Sequence, residues 1–212
     1  ADAAGAVTDL FGGQDDLRRG VIRCVGDPAE RFAEDALRML RALRFAARLS
    51  FRIDGETAAA IHAARTRLRA VAPERLHKEL SGILCGRQAA ALLEEFSDVL
   101  FELIPELAPC QGFRQYNPHH TRDVWTHTLA VVDGVPPEEP LRLAALLHDA
   151  GKPATFFFDK NLVGHFYGHP AAGAAVTEEV LRRLRYDRAT TEFVTQLVAV
   201  HGRPIPDDLR GM

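Results

Sequence analysis

Histidines and acids crowd the second half of this chain in a pattern that suits metal binding. Of nine histidines in 212 residues, seven fall from His119 onward. His148 and Asp149 stand side by side where an apolar helical pattern over 140–149 ends. An imidazole and a carboxylate leaving a helix together can hold one divalent ion. Neutral nitrogen suits transition metals, and the carboxylate can bridge a second ion or orient a water. His127, near the start of another helical segment, offers a third ligand, and His169 completes the candidate set of His127, His148, Asp149 and His169. His165 is a further candidate. His62, His119 and His120 read instead as histidines that cap helices and satisfy local hydrogen bonds.

A second group with chemical potential lies in the first half. Asp35 and Arg38 are three apart, and Arg38, Arg41, Arg44 and Arg48 recur at three, three and four. A carboxylate accepts from an exocyclic amine, and a guanidinium donates to a ring nitrogen or carbonyl oxygen, so such a pair can read one edge of a base. Spacing alone favours an intrahelical ion pair worth a few tenths of a kcal/mol. Arg41, Arg44 and Arg48 either meet phosphate or form a solvated face. Between Arg31 and Arg87 there are twelve Lys and Arg against six Asp and Glu, in a chain whose net charge is −3. A basic segment beside an acidic one points to a polyanionic partner or to solvated helix faces.

Helices must position both groups. Asp27 as N-cap, Pro28 at N1 and Glu30 at N3 open one, and Phe32, Ala36, Leu40, Leu43 and Ala47 give it a single apolar stripe. Further helical patterns run over about 56–70, 73–86, 87–96, 123–133, 140–149, 171–185 and 189–201. Gly151 suits a left-handed position closing the helix before it, with Pro153 preventing continuation. Gly20–Gly26 reads as a short strand whose sheet partners lie outside the chain, and Phe156–Phe158 with Leu162–Val163 form a possible hairpin. The fold class is mainly α: a β remnant over 1–26, a helical neck over 27–110 and an all-helical domain over 111–212.

Composition excludes several classes. Apolar residues make up 47% and charged residues 26%, as in an ordinary globular protein. No apolar run approaches the ~20 residues that span a bilayer, and residues 1–20 lack the apolar core of a signal peptide. Cys24, Cys85 and Cys110 are odd in number and far apart, which suits a reducing cytosol and a cytoplasmic location.

Two stretches carry family resemblances. Leu146-Leu147-His148-Asp149-Ala150-Gly151-Lys152-Pro153, with His127 before it and Gly164-His165-Phe166-Tyr167-Gly168-His169 behind, resembles the HD superfamily of metal-dependent phosphohydrolases. That likeness implies a spaced His, a His-Asp doublet and a distal Asp around one or two ions, with Mg2+, Mn2+ or Ni2+ as candidates. No Asp occurs between Asp187 and Asp207, and His201 stands about where the distal Asp would. The run from Asp27 to Ala46 is similar to the neck helix of bacterial CCA-adding enzymes and related poly(A) polymerases. The upstream Asp9-Leu10-Phe11-Gly12-Gly13, Asp16-Leu17 and Ile22-Arg23 look like the last strand region of that family's head.

The second resemblance assigns roles. Glu34-Asp35-Ala36-Leu37-Arg38 matches the family's Glu-Asp-x-x-Arg motif, implying that Asp35 and Arg38 read the Watson–Crick edge of CTP or ATP. It implies Arg41 at the nucleotide, Arg44 and Arg48 at RNA, and a tRNA or other RNA 3′ end as partner, with no membrane involved. The parent would be a nucleotidyltransferase adding CCA or A, using Mg2+ held by head-domain carboxylates. No Asp-x-Asp on a strand occurs here, so the chain reads as a neck and HD-like portion without catalytic residues for nucleotide addition. Two other readings are a stand-alone HD-type phosphohydrolase acting on cyclic nucleotides, 2′,3′-cyclic phosphates or phosphomonoesters, and a purely RNA-binding module.

Overall fold

A computed structural model describes residues 8–116 and 122–202. His119 and His120 lie outside the described residues. The chain divides into two compact units, Ala1–Leu103 and Ile104–Met212.

In the first unit, α1 (Gly13–Arg19) leads into β1 (Val21–Ile22), then α2 (Pro28–Glu34), α3 (Leu37–Leu49), β2 (Arg52–Ile53) and α4 (Gly55–Ala64). A 3-10 turn over Arg65–Ala70 precedes α5 (Pro73–Leu84), α6 (Ala89–Glu95) and α7 (Ser97–Leu103). Asp27 caps α2 as its sequence indicates, accepting from the Ala29 and Glu30 N–H groups. The expected single helix over the arginine stripe is two helices. Asp35 is extended (φ −148°, ψ 103°), and its carboxylate accepts from the Leu37 N–H at 3.1 Å, so it opens α3. An aspartate inside a helical pattern offers the backbone this local alternative. The stripe still buries Phe32, Leu40, Leu43 and Ala47.

The strand at residue 21 finds its partner within the chain, contrary to the expectation from sequence. β1 and β2 pair in parallel, Val21 opposite Arg52 and Ile22 opposite Ile53. Two residues per strand are too few for a periodic signal, so the pairing was invisible locally. The main packing of this unit sets α3 against α5. Gly86, just beyond α5, lies so close to α3 that an added Cβ would fall 2.4 Å from the Ala47 Cβ. The Arg87 N–H donates to the Ala47 carbonyl at that contact (3.0 Å).

In the second unit a 3-10 turn over Pro105–Cys110 precedes α8 (Val124–Gly134), α9 (Glu139–Leu147) and the short α10 (Lys152–Thr155). A hairpin of β3 (Phe157–Phe158) and β4 (Gly164–His165) follows, then α11 (His169–Arg183) and α12 (Arg188–Val200). The hairpin forms, with its second strand at 164–165 rather than 162–163; Phe157 faces His165. α9 sits against α8 and α12, and α11 folds back on α12. Leu143, Leu146, Leu147, Val180, Val194 and Val198 are fully buried among these helices. Each such side chain contributes about 1.5–3 kcal/mol on leaving water.

Asp123 caps α8, accepting from the Thr126 N–H and hydroxyl at 2.9 Å each. Asp123→Ala is expected to cost about 1 kcal/mol, read as a lower urea midpoint with an unchanged slope. The mainly α fold class holds, and Cys24, Cys85 and Cys110 are free thiols. No helix of the described residues is long and apolar enough to cross a membrane.

Candidate functional site

The His-Asp doublet ends α9, and its surroundings converge on it. Asp149 is 2% exposed, at the centre of a ring of imidazoles. Its Oδ2 lies 3.1 Å from His148 Nε2 and 3.7 Å from His127 Nε2. Its Oδ1 lies 3.6 Å from His169 Nε2 and 3.7 Å from His201 Nε2. Two overlapping sets of potential ligands share the carboxylate: His127, His148 and Asp149, then Asp149, His169 and His201, each with its donor atoms within 4.8 Å of one another. All four residues of the expected set are therefore brought together. His165 is not part of it; it pairs with Asp159 at 3.1 Å.

The histidines are oriented from behind. His148 Nδ1 contacts the Ala145 carbonyl at 2.8 Å, His169 Nδ1 the Phe166 carbonyl at 2.8 Å, and His201 Nδ1 the Val198 carbonyl at 2.7 Å. In each case the acceptor lies three residues earlier, in the last turn of α9 and of α12 for His148 and His201 and just before α11 for His169. A proton on Nδ1 leaves the Nε2 lone pair facing Asp149, which is how second-shell contacts prepare a metal ligand. His169 Nε2 and His201 Nε2 stand 3.2 Å apart. Two lone pairs at that distance repel unless a cation or a proton lies with them. The donor set therefore fits a divalent ion.

Electrostatics agree. Burial pushes the Asp149 carboxyl upward, but its close contacts with the His148 and His201 imidazoles and the nearby Lys152 charge outweigh it and hold it far below the ordinary range. Contact with the Asp149 carboxylate raises His201, whereas burial lowers His169. Lys152, 5% exposed, contacts Asp149 Oδ2 at 2.7 Å and donates to Gln115 Oε1 at 2.8 Å.

His201, which the sequence places about where the distal Asp would stand, joins the site, continuing the buried face of Val194 and Val198 at the next helical step. Two contributors were missed from sequence as site residues: Lys152 and Gln115. Gly151 plays a different part from the one expected. It is right-handed (φ −81°), and what it supplies is space: a Cβ there would fall 2.4 Å from the His169 carbonyl oxygen and 2.5 Å from the Gly173 nitrogen. That close approach lets α11 bring His169 to the doublet.

In the first unit the basic residues are dispersed. Arg38 donates to Glu34 Oε2 at 2.6 Å and to the Arg31 carbonyl at 3.0 Å, so its ion pair is with Glu34. Asp35 instead receives Arg75 Nη2 from α5 at 3.1 Å. Burial works against the charged form of Asp35, and the Leu37 N–H and Arg75 overcome it to lower its pKa. Arg38 and Arg41 line a cleft of about 270 Å³ with Phe32, Phe45, Cys24 and Ile22, near the lower end of ligand-pocket sizes. Arg48 is exposed. Arg44 crosses to Glu79, Nε to Oε2 2.5 Å, with both side chains largely buried.

Comparison with known proteins finds two matching families. Residues 50–110 match a family described as the probable RNA and SrmB- binding site of polymerase A, and residues 119–211 match the HD domain. The A-adding tRNA nucleotidyltransferase of Deinococcus radiodurans is 35% identical over 215 residues, covering 95% of this chain and 49% of that protein. The chain is therefore similar, over nearly its whole length, to tRNA nucleotidyltransferases.

Another relative, the CC-adding tRNA nucleotidyltransferase of Thermus thermophilus, is 37% identical over 98% of this chain and 50% of its own length. The chain thus spans about half the length of these relatives. The CCA-adding enzyme of Bacillus stearothermophilus, solved in complex with CTP, shares the fold at a TM-score of 0.60 and 22% identity, covering 97% of this chain and 44% of that one.

Proposed function

We propose that the chain is the nucleotide- and RNA-binding portion, with an HD-type metal centre, of an enzyme that adds C and A, or A alone, to RNA 3′ ends. The observation that carries this reading is the placement of Glu34-Asp35-Ala36-Leu37-Arg38. The motif straddles a helix break beside an arginine-lined cleft, and Asp35 is held charged by Arg75 and a backbone N–H. The similarity to relatives named for A addition and for CC addition supports it. Asp35 accepts from the exocyclic amine that cytosine and adenine both present and uracil lacks. Arg38 donates to the base, Arg41 meets the triphosphate, and Arg44 and Arg48 serve the RNA. Arg44 does so only by exchanging Glu79 for phosphate. Phosphoryl transfer itself needs carboxylate-held Mg2+, which this reading assigns to another part of the enzyme.

The second unit has its own chemistry. His127, His148, Asp149 and His169, with His201, would hold a divalent ion such as Mg2+, Mn2+ or Ni2+. When bound, such an ion polarises a phosphoryl oxygen and lowers the pKa of its water. The chain's residues fix the imidazoles through Nδ1, keep Asp149 ionised and set Lys152 beside it. Hydrolysis of phosphate esters at this centre is the reading of that unit.

Titration of the chain with CTP, ATP and UTP by calorimetry tests the nucleotide site. CTP and ATP should bind better than UTP. Arg38→Ala and Arg41→Ala should each weaken CTP and ATP about tenfold or more, as loss of a charge-assisted contact implies. Asp35→Ala should narrow the preference for CTP over UTP. Unchanged CTP affinity in the Arg38→Ala chain would remove this assignment.

A further inference from the structure

The β3–β4 hairpin turns an organised aromatic face to solvent. The Phe157 ring stacks on His165 at 5.5 Å and 29°, and His165 stacks on Tyr167 at 5.2 Å and 22°. Phe157 and Tyr167 are themselves 5.5 Å apart. Phe157 is 42% exposed and Tyr167 74%. Side chains that only fill a core would not be arranged this way. The stack is also braced: Asp159 holds His165 at 3.1 Å and accepts from the Asn161 and Val163 N–H groups.

The residues that follow β4 tie this face to the metal centre. His165 and Tyr167 stack together in the exposed face, whereas the Phe166 ring between them lies 5.3 Å from Lys152 Nζ and 6.4 Å from the His169 ring. One short segment therefore forms both the wall of the centre and the exposed stack. The charge nearby suits an anion-bearing ligand. Exposed Arg114 and Lys160 lie on the segment beside β4 and in the hairpin turn, and the acid of the turn, Asp159, is engaged as described.

We propose that this hairpin is a stacking platform for unpaired nucleobases of RNA, placing a strand at the rim of the metal centre. Aromatic faces accept any base, and each stacked base contributes an affinity factor of roughly five to more than a hundred. Arg114 and Lys160 would meet the phosphates. The proposal rests on the reading that RNA is the partner of this chain, and it adds where single-stranded RNA sits on the second unit.

The test uses the full chain and fluorescence anisotropy with a labelled single-stranded adenosine-and-cytidine oligonucleotide and its abasic counterpart. The intact oligonucleotide should bind the wild type at least tenfold more tightly than the abasic one. A Phe157→Leu/Tyr167→Leu chain, which keeps apolar bulk without rings, should lose that preference, and Phe157→Tyr/Tyr167→Phe should keep it. The loss should be equal at low and high salt, since stacking releases no counterions. An unaltered melting temperature would show both variants folded. Equal binding of intact and abasic RNA, or an unaffected leucine variant, overturns the platform while leaving RNA binding by the chain standing. Absence of any RNA binding overturns both. Wild-type binding to a proline-rich peptide, or self-association, lost in the leucine variant while RNA binding persists would assign the face to that occupant and overturn the proposal.

Discussion

An Asp149→Asn chain is expected to bind Mn2+ or Ni2+ more than about 100-fold more weakly than the wild type, since loss of an outer-shell partner alone costs roughly 10–100-fold. The amide loses the charge that the imidazoles surround at 3.1–3.7 Å. It also leaves Lys152, buried and 2.7 Å from Oδ2, without its counter-ion. Removing one member of a buried pair costs about 3–5 kcal/mol, so the variant should unfold at clearly lower urea. A Lys152→Met change in the same chain removes the stranded charge and should restore most of the stability without restoring the metal. Calorimetric metal titration and denaturant melts of the wild type and the two variants separate the two effects. A single variant that binds metal normally would show that Asp149 is structural only.

Gly151→Ala should be the second most damaging small change. The new methyl group would press on the His169 carbonyl and the Gly173 nitrogen, both backbone atoms that no rotamer change can move. α11 must shift by about an ångström, at a cost of about 1–3 kcal/mol or more. Because His169 begins α11, metal affinity should fall with stability. Gly82→Ala is the control: its close neighbour is the flexible Arg44 side chain, so the loss should be smaller and metal affinity unchanged. Circular dichroism melts with metal titrations check both. A Gly151→Ala chain as stable as the wild type would mean that α11 approaches the doublet less closely than described.

Local rules made much of this legible in the sequence. Asp27 caps its helix as its sequence indicates, its side chain accepting from first-turn N–H groups, and Asp123 and Asp187 follow the same rule in the structure. The apolar stripes that follow are buried, and the His-Asp doublet emerges where its helix ends. What escaped depended on distant partners. Nothing near residue 21 indicates pairing with residue 52, nor does the spacing of the arginines reveal that Arg44 reaches Glu79 on another helix. The break at Asp35 was hidden because the apolar spacing continues across it. The pairing of Arg38 with Glu34 instead of Asp35 follows from that break. Gly151 was identified as a constrained position, but its constraint is steric crowding and not backbone handedness.

The contacts behind the histidines carry a further consequence. His148, His169 and His201 each hold a carbonyl three residues back through Nδ1, at the end of α9, the start of α11 and the end of α12. These are the places where helices ordinarily fray. Chelation at Nε2 would therefore clamp three termini at once. An ion at a hundred times its dissociation constant would add about 2.7 kcal/mol to the folded state, concentrated where the polypeptide would otherwise loosen first.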